Sequence, residues 1–499
     1  MTAFWAIIAV VVPWAAGAGV VAALRDRCAS RLLIVGAGWL VGQGLVMGAM
    51  YAVLVGSGAG HARIVLAALI AVAVAASGYA WRKTGHRQTA TAGRLGGDVT
   101  GDNLAGGRTW CSRRPRGADA TGPGGRLVLA AIGASLLAKV CVLAGAFAYV
   151  PIRGDDAISI WLFKAKVIAG LDALPLDPAG DYYQAGSNPH YSPFVSLTAA
   201  WVPMVTGAWH EPLAVLPWLL HYVNVVLLIA GGLRRWMGAV PSWVAAYAVG
   251  SLPLVVVHAY RPGYADLPLA AFLAAAVLYL LTWRSTGLSR HLLLAWFFAL
   301  SATVLKRESP MLAAVTILAV VVPSWRLVGA WSMRQRWAAF IPAAGAVLIV
   351  GRVVDFSEQA EAAGDLAYHP AVWGRLWRHL FEWSSFQFLF WIVAASAVAV
   401  AWRRRGEHWM PALLLAVGLC GFHAAVFLFT PQERFAMNDQ TPSRLFMQAA
   451  PALVVALAAA LAGELRPRGA DAAPSRAFQV AAGDSLGRTG SSLPAAETR

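Results

Sequence analysis

Charge is scarce in this chain. Of its 499 residues only 13% are Asp, Glu, Lys or Arg, about half the share found in soluble domains, while 59% are hydrophobic and the mean hydropathy is +0.61. Such a composition excludes an ordinary soluble enzyme and places most of the chain in lipid. Cysteine is scarce too: Cys28, Cys111, Cys141 and Cys420 lie far apart with no C-x-x-C spacing, so neither a disulfide framework nor a structural zinc is expected. No basic stretch precedes the first apolar segment, 4–24, and Arg25, Arg27 and Arg31 follow it. That order predicts an uncleaved helix with its N-terminus outside rather than a signal peptide. An internal repeat is also missing to the eye, which withholds support from the inverted-repeat architecture of many secondary transporters.

What is present is a series of apolar segments. A spanning helix needs about 20 mainly apolar residues, because its backbone polar groups find no water in the bilayer. The segments are 4–24, 32–55, 62–81, 127–150, 195–209, 211–232, 239–258, 264–283, 291–305, 309–324, 337–353, 384–402, 410–430 and 445–463. The segment 195–209 is short and one residue from the next, too close for two crossing helices, so it is expected to be only partly inserted. About 13 transmembrane helices remain, an all-α integral membrane protein. The domain reading is three N-terminal helices in 1–81, a basic disordered cytoplasmic loop in 82–126, a membrane region in 127–463 and a disordered tail in 464–499.

The formal charge of +16 would suggest nucleic acid in a soluble protein, but a membrane protein sorts its cations by side. Alternating the 13 spans places Arg25/Arg27/Arg31, the 82–126 loop, Arg234-Arg235, Arg284/Arg290, Arg326/Arg334/Arg336, Arg403-Arg404-Arg405 and the tail on one face, which then carries more than twice the basic residues of the other. By the positive-inside rule that face is cytoplasmic, and no nucleic-acid partner is expected.

The opposite face carries the residues suited to chemistry. Arg153-Gly154-Asp155-Asp156 follows the fourth span and opens the 151–194 loop; next come Ile158, Trp161, Leu162 and Ala165 at helical spacing, with Lys164 and Lys166 among them. This predicts a helix lying in the membrane interface. His190-Tyr191-Ser192-Pro193 ends the loop. Further stretches on this face are His258 through Arg261 and Tyr264 to Asp266, Lys306-Arg307-Glu308, the 355–383 loop, and Thr430 through Asp439 to Arg444. Charges beside lipid are costly unless paired or hydrated, so each is a functional candidate. Each also has a bland reading. Asp155-Asp156 is an acidic turn or helix cap, Asp266 caps its helix or pairs with Arg261, and Lys306-Arg307-Glu308 is an ion-paired hairpin. His190 is a surface or packing residue, and Arg444 an interfacial anchor. Trp161 is placed to stack on a sugar, and Lys139 is expected to face other helices near mid-membrane.

Gly154-Asp155-Asp156-Ala157-Ile158-Ser159-Ile160-Trp161, His190-Tyr191-Ser192-Pro193, Gly263-Tyr264-Ala265-Asp266-Leu267-Pro268 and the Thr430-Pro431 to Arg444 stretch resemble the GT-C superfamily of polytopic glycosyltransferases, including bacterial mannosyltransferase-like members. The resemblance covers roughly 127–463, with three spans ahead of it. It implies transfer of a sugar, with inversion, from a polyprenyl-phosphate donor to a glycan, lipid or protein acceptor outside a bacterial cytoplasmic membrane. Asp155 or Asp156 would be the general base, and Lys306, Arg307, Arg261 or Arg444 would hold the donor phosphate. Lys164, Lys166, His190, Tyr191, Tyr264, Asp266 and Glu308 complete the substrate-binding expectation. No metal ligand is assigned, and a divalent cation such as Mg or Mn is left open. Two other readings stand beside it, a transporter or lipid flippase and an assembly partner without activity. A transporter would place ionisable residues at the bilayer midplane, where here only Lys139 lies.

Overall fold

The computed structural model describes residues 2–25, 29–57, 62–92, 121–152, 154–175, 191–325, 333, 366–382, 385–403, 408–439 and 441–464. Among them the chain is helical throughout, with no strand. The expected span 337–353, His190, Arg153, most of the 82–126 loop and nearly all of the tail lie outside the described residues. The third helix continues to Ala92 and the fourth begins at Pro123, so helix takes up both ends of the stretch expected to be a disordered loop.

Among the described residues eight helices are long and apolar enough to cross a membrane, or nine with one bent pair, and the protein is a multi-pass membrane protein. They are α1 (Thr2–Leu24), α2 (Arg31–Ser57), α3 (Ala62–Ala92), α4 (Pro123–Tyr149), α7 (Glu211–Leu233), α10 (Asp266–Thr286), α15 (Trp409–Phe429) and α17 (Pro442–Glu464). The bent pair is α8 (Ala239–Gly250) with α9 (Pro253–Tyr260), which replaces the single expected span 239–258 with two pieces at 60°. Pro253 removes a backbone donor at the break. The freed Gly250 carbonyl is met by the Tyr222 hydroxyl at 2.7 Å, and Lys139 Nζ donates to Ser251 Oγ at 2.6 Å. One hydroxyl, that of Ser251, thus receives Lys139, whose ammonium also lies 4.8 Å over the Tyr247 ring.

Three other expected spans are short helices: α11 (Ser289–Thr303), α12 (Ser309–Val321) with a 3-10 turn Val322–Ser324, and α14 (Leu389–Arg403). The segment 195–209 is α6 (Phe194–Thr206), likewise short. At 15 residues, α11 is about 22 Å long against a hydrocarbon core of about 30 Å.

Burial sorts the helices. Helix α10 is enclosed along its whole membrane window, and α7 and α17 nearly so, whereas α3 and α4 turn most of their surface outward. Helix α10 packs on α7, α11, α12 and α17, so whatever its first residue carries is held in the centre of the bundle. The N-terminal helices join through small residues. A Cβ on Gly17 would meet Gly38 O at 2.0 Å, and one on Gly42 would meet Pro13 O at 2.1 Å, backbone contact of the kind that replaces hydrophobic driving force between helices in lipid.

Candidate functional site

The charges at the start of α10 form one network. Asp266, fully buried, is the first residue of α10. Its Oδ1 accepts from Lys306 Nζ at 3.0 Å and Gln448 Nε2 at 2.7 Å, and its Oδ2 from Arg444 Nη2 at 3.1 Å. His258 Nδ1 stands 3.9 Å from that second oxygen. The other arm of the Arg444 fork, Nη1, donates to Asp156 Oδ2 at 2.9 Å. Lys306 also pairs with Glu308 at 2.8 Å, which accepts from Gln448 Nε2 at 3.3 Å. A buried carboxylate is tolerable only with such partners. Of the two bland readings of Asp266, pairing with Arg261 gives way to pairing with Lys306 and Arg444.

Outside the spanning helices the protonation states follow from these contacts. Burial opposes the Lys306 ammonium, but the Asp266 and Glu308 carboxylates outweigh it and hold the group above its ordinary value. Burial likewise works to raise the Glu308 carboxyl, and Lys306 overrides it. Both remain charged.

The loop that brings Asp156 here depends on one backbone position. Gly154 has φ +136, and a Cβ on it would lie 2.5 Å from the Tyr264 hydroxyl; only glycine fits without displacement. A wide π turn, Ala157–Leu162, follows, then α5 (Phe163–Leu171). The turn breaks the expected single helical period: Trp161, Leu162 and Ala165 face inward, whereas Ile158 is 48% exposed. The acidic pair just ahead of the turn diverges. The Asp156 side chain is 44% exposed and engages Arg444, while Asp155 is exposed and its carboxylate has no ion pair among the described residues.

Aromatic faces border the network. The Arg444 guanidinium lies 4.6 Å over the Tyr264 ring, and that of Arg307 4.7 Å over Tyr191, cation–π geometry. Burial pushes both phenols above their ordinary range, against the nearby cations. Lys164, 2% exposed, donates to the Tyr191 carbonyl at 2.8 Å; burial, then Arg307, lowers it to about 8. Trp161 is buried edge-on against Tyr191 at 5.1 Å, which leaves no face for a sugar.

The structure therefore gathers Asp156, Tyr191, Tyr264, Asp266, Lys306, Arg307, Glu308, Arg444 and Lys164. Arg261 is exposed at the rim, and Lys166 points elsewhere. Gln448 belongs to the network without having been singled out for it, and His258, which opened a candidate stretch but was given no role, stands beside it. Gln448 follows Arg444 by four residues, one helical turn on the same face of an otherwise apolar stretch, and that spacing was the available signal. A second cluster braces the same helix start: Arg375 Nη1 donates to Asp439 at 2.7 Å, and His379 bridges Asp439 at 3.3 Å and Ser443 Oγ at 2.7 Å. No group of three or more metal-ligating side chains occurs among the described residues; the cation between Asp156 and Asp266 is the Arg444 guanidinium.

Two cavities lie along the outward-facing α4. One of about 370 Å³ lies between Tyr149, Ile152, Glu211, Tyr260 and Arg261. Another of about 450 Å³, between Lys139, Leu143, Val257 and Tyr260, shares Tyr260 with it. Compared with known proteins, the chain matches no family model, no curated protein and no solved structure.

Proposed function

We propose that the protein is a membrane glycosyltransferase that moves a sugar from a polyprenyl-phosphate donor to an extracytoplasmic acceptor, with Asp156 as the general base. The observation that carries this reading is the half-exposed Asp156 carboxylate fixed by an Arg444 fork whose other arm is anchored on the buried Asp266. Such a carboxylate is held in position yet can still reach a hydroxyl from solution, the geometry general-base catalysis needs.

In the reaction the acceptor oxygen bonds to the anomeric carbon as the carbon–oxygen bond to phosphate breaks. The acceptor proton passes to Asp156, and polyprenyl phosphate leaves with the bonding electron pair. A phosphate already leaves well, so cations suffice to stabilise it. Lys306 and Arg444 are occupied by carboxylates, and the departing phosphate falls to Arg261, exposed at the rim. The cavities beside α4 lie where an isoprenoid chain would approach from lipid, and the GT-C resemblance of the Gly154 to Trp161 motif points the same way.

A transport reading has one feature in its favour, the broken span α8–α9 with Lys139 against the break. The break is satisfied by Tyr222, and the other buried charges crowd one end of the bundle, so the enzyme reading is preferred. The test is release of polyprenyl phosphate, with transfer of label to membrane extract, from radiolabelled polyprenyl-phosphate sugars in proteoliposomes. Wild type should release it and Asp156→Asn should be slower by about 10²–10⁴-fold; equal rates would remove Asp156 as base, and no release from any donor would remove the reaction.

A further inference from the structure

A cavity of about 610 Å³ opens at the same end of the bundle on the far side of α5, bordered by Arg63, Ile64, Lys166, Asp172, Met204 and Trp209. Residues two apart on a helix point to nearly opposite faces. Lys164 is thus buried against Tyr191 while Lys166 is exposed toward this cavity. Arg63, from the start of α3, meets Lys166 there from a segment about a hundred positions away, and no ion pair engages either among the described residues. With Asp172 as the one carboxylate on its wall among the described residues, the cavity carries two cations against a single anion and is net positive.

The walls indicate which anion. Ile64 is 58% exposed on α3, a helix that turns most of its surface outward, so the cavity is continuous with the lipid-facing side. Met204 adds apolar wall, and Trp209 is the residue type that sits at the headgroup level of a bilayer. Asp172, in the left-handed conformation at φ 51, supplies an acceptor beside the cations. Two cations and one carboxylate leave a single positive charge, matching one phosphodiester. We propose that this cavity binds the headgroup of an anionic phospholipid, its phosphate between Arg63 and Lys166, its hydroxyls toward Asp172 and its acyl chains along α3.

The proposal is independent of the transferase reading, and its test needs no activity. The purified full-length protein is unfolded thermally in detergent micelles containing increasing phosphatidylglycerol, with phosphatidylcholine at equal mole fraction and inorganic phosphate as separate arms. Phosphatidylglycerol should raise Tm saturably, by about 2–4 °C, whereas phosphatidylcholine, whose choline the two cations repel, should not. Arg63→Gln combined with Lys166→Gln should abolish the rise. So should Ala208→Trp, which fills the cavity and keeps both cations, and which decides the matter if the double variant does not unfold cooperatively. An undiminished rise in Ala208→Trp, an equal rise with phosphatidylcholine, or saturation by inorganic phosphate alone would overturn the assignment.

Discussion

Asp156 and Asp266 accept hydrogen bonds from the same guanidinium at nearly the same distance, 2.9 and 3.1 Å, yet one side chain is 44% exposed and the other is sealed from solvent. The difference divides labour. Asp266 accepts from Lys306, Gln448 and Arg444 and is closed to solvent, so it fixes cations rather than meeting a substrate. Asp156 gives one oxygen to Arg444 and keeps the other side toward solution. A bilayer protein that needs a reactive carboxylate near lipid can build it in this way, with a buried anion holding a cation that in turn holds a second, accessible anion.

The sharpest way to break the comparison is to neutralise the buried member. Asp266→Asn leaves Lys306 and Arg444 enclosed with one carboxylate each instead of two, and removing a partner from a buried ion pair typically costs about 3–5 kcal/mol. Because Glu308 and Asp156 remain, the loss should fall at the lower end, about 3 kcal/mol, read as a lowered unfolding midpoint in detergent. A change below about 1 kcal/mol would mean that the network is not the anchor its geometry indicates.

Arg444→Lys tests the link itself. An ammonium is a point charge and cannot place two parallel donors on two carboxylates, so it should stay with Asp266 and release Asp156. Transfer from the polyprenyl-phosphate donor should fall by about 10²-fold, while the unfolding midpoint moves less than in Asp266→Asn. Equal activity would show that Asp156 needs no positioning.

Lys164 adds a pH dependence from the opposite side of Tyr191. Its value is lowered from 10.5 to about 8, so above pH 8 the unfolded chain binds a proton that the folded chain has given up, and stability rises with pH. Between pH 8 and about 9.5, below the range where tyrosines ionise, the gain should be about 1–2 kcal/mol. Lys164→Met should flatten the unfolding curve in that window, and an unchanged slope would place the lysine outside the buried environment seen here.

The sequence made the acidic end of the bundle visible because charge next to lipid is costly and therefore informative: Asp156, Asp266, Lys306, Glu308 and Arg444 each stood out alone. Their pairing was not legible. Asp156 and Arg444 are 288 positions apart, and nothing in local periodicity reports which helix ends meet. The short segments 291–305 and 309–324 were placed to within two residues of the helices found, whereas 384–402 starts as a helix only at Leu389, and the run 239–258 hides a break that Pro253 and a Tyr222 hydroxyl permit. The π turn after Asp156 escaped for a related reason. Ile158 fits a regular helical stripe, and only the backbone shows that the stripe is interrupted.

That interruption leads to the smallest expected effect. Asp155 and Asp156 are adjacent and chemically identical, so from sequence neither has priority as the base. In the folded protein they diverge: Asp156 meets Arg444, whereas Asp155 is exposed, with its backbone carbonyl accepting from Ser159 Oγ at 2.5 Å and its carboxylate unpaired among the described residues. Asparagine at 155 keeps the backbone bond and removes one solvated charge, a change that usually lies within about 0.5 kcal/mol. Asp155→Asn should therefore unfold like wild type and transfer sugar within about threefold of it, where Asp156→Asn loses orders of magnitude. If instead Asp155→Asn were the silent enzyme and Asp156→Asn the active one, the Arg444 fork would be a structural clasp and the base its exposed neighbour.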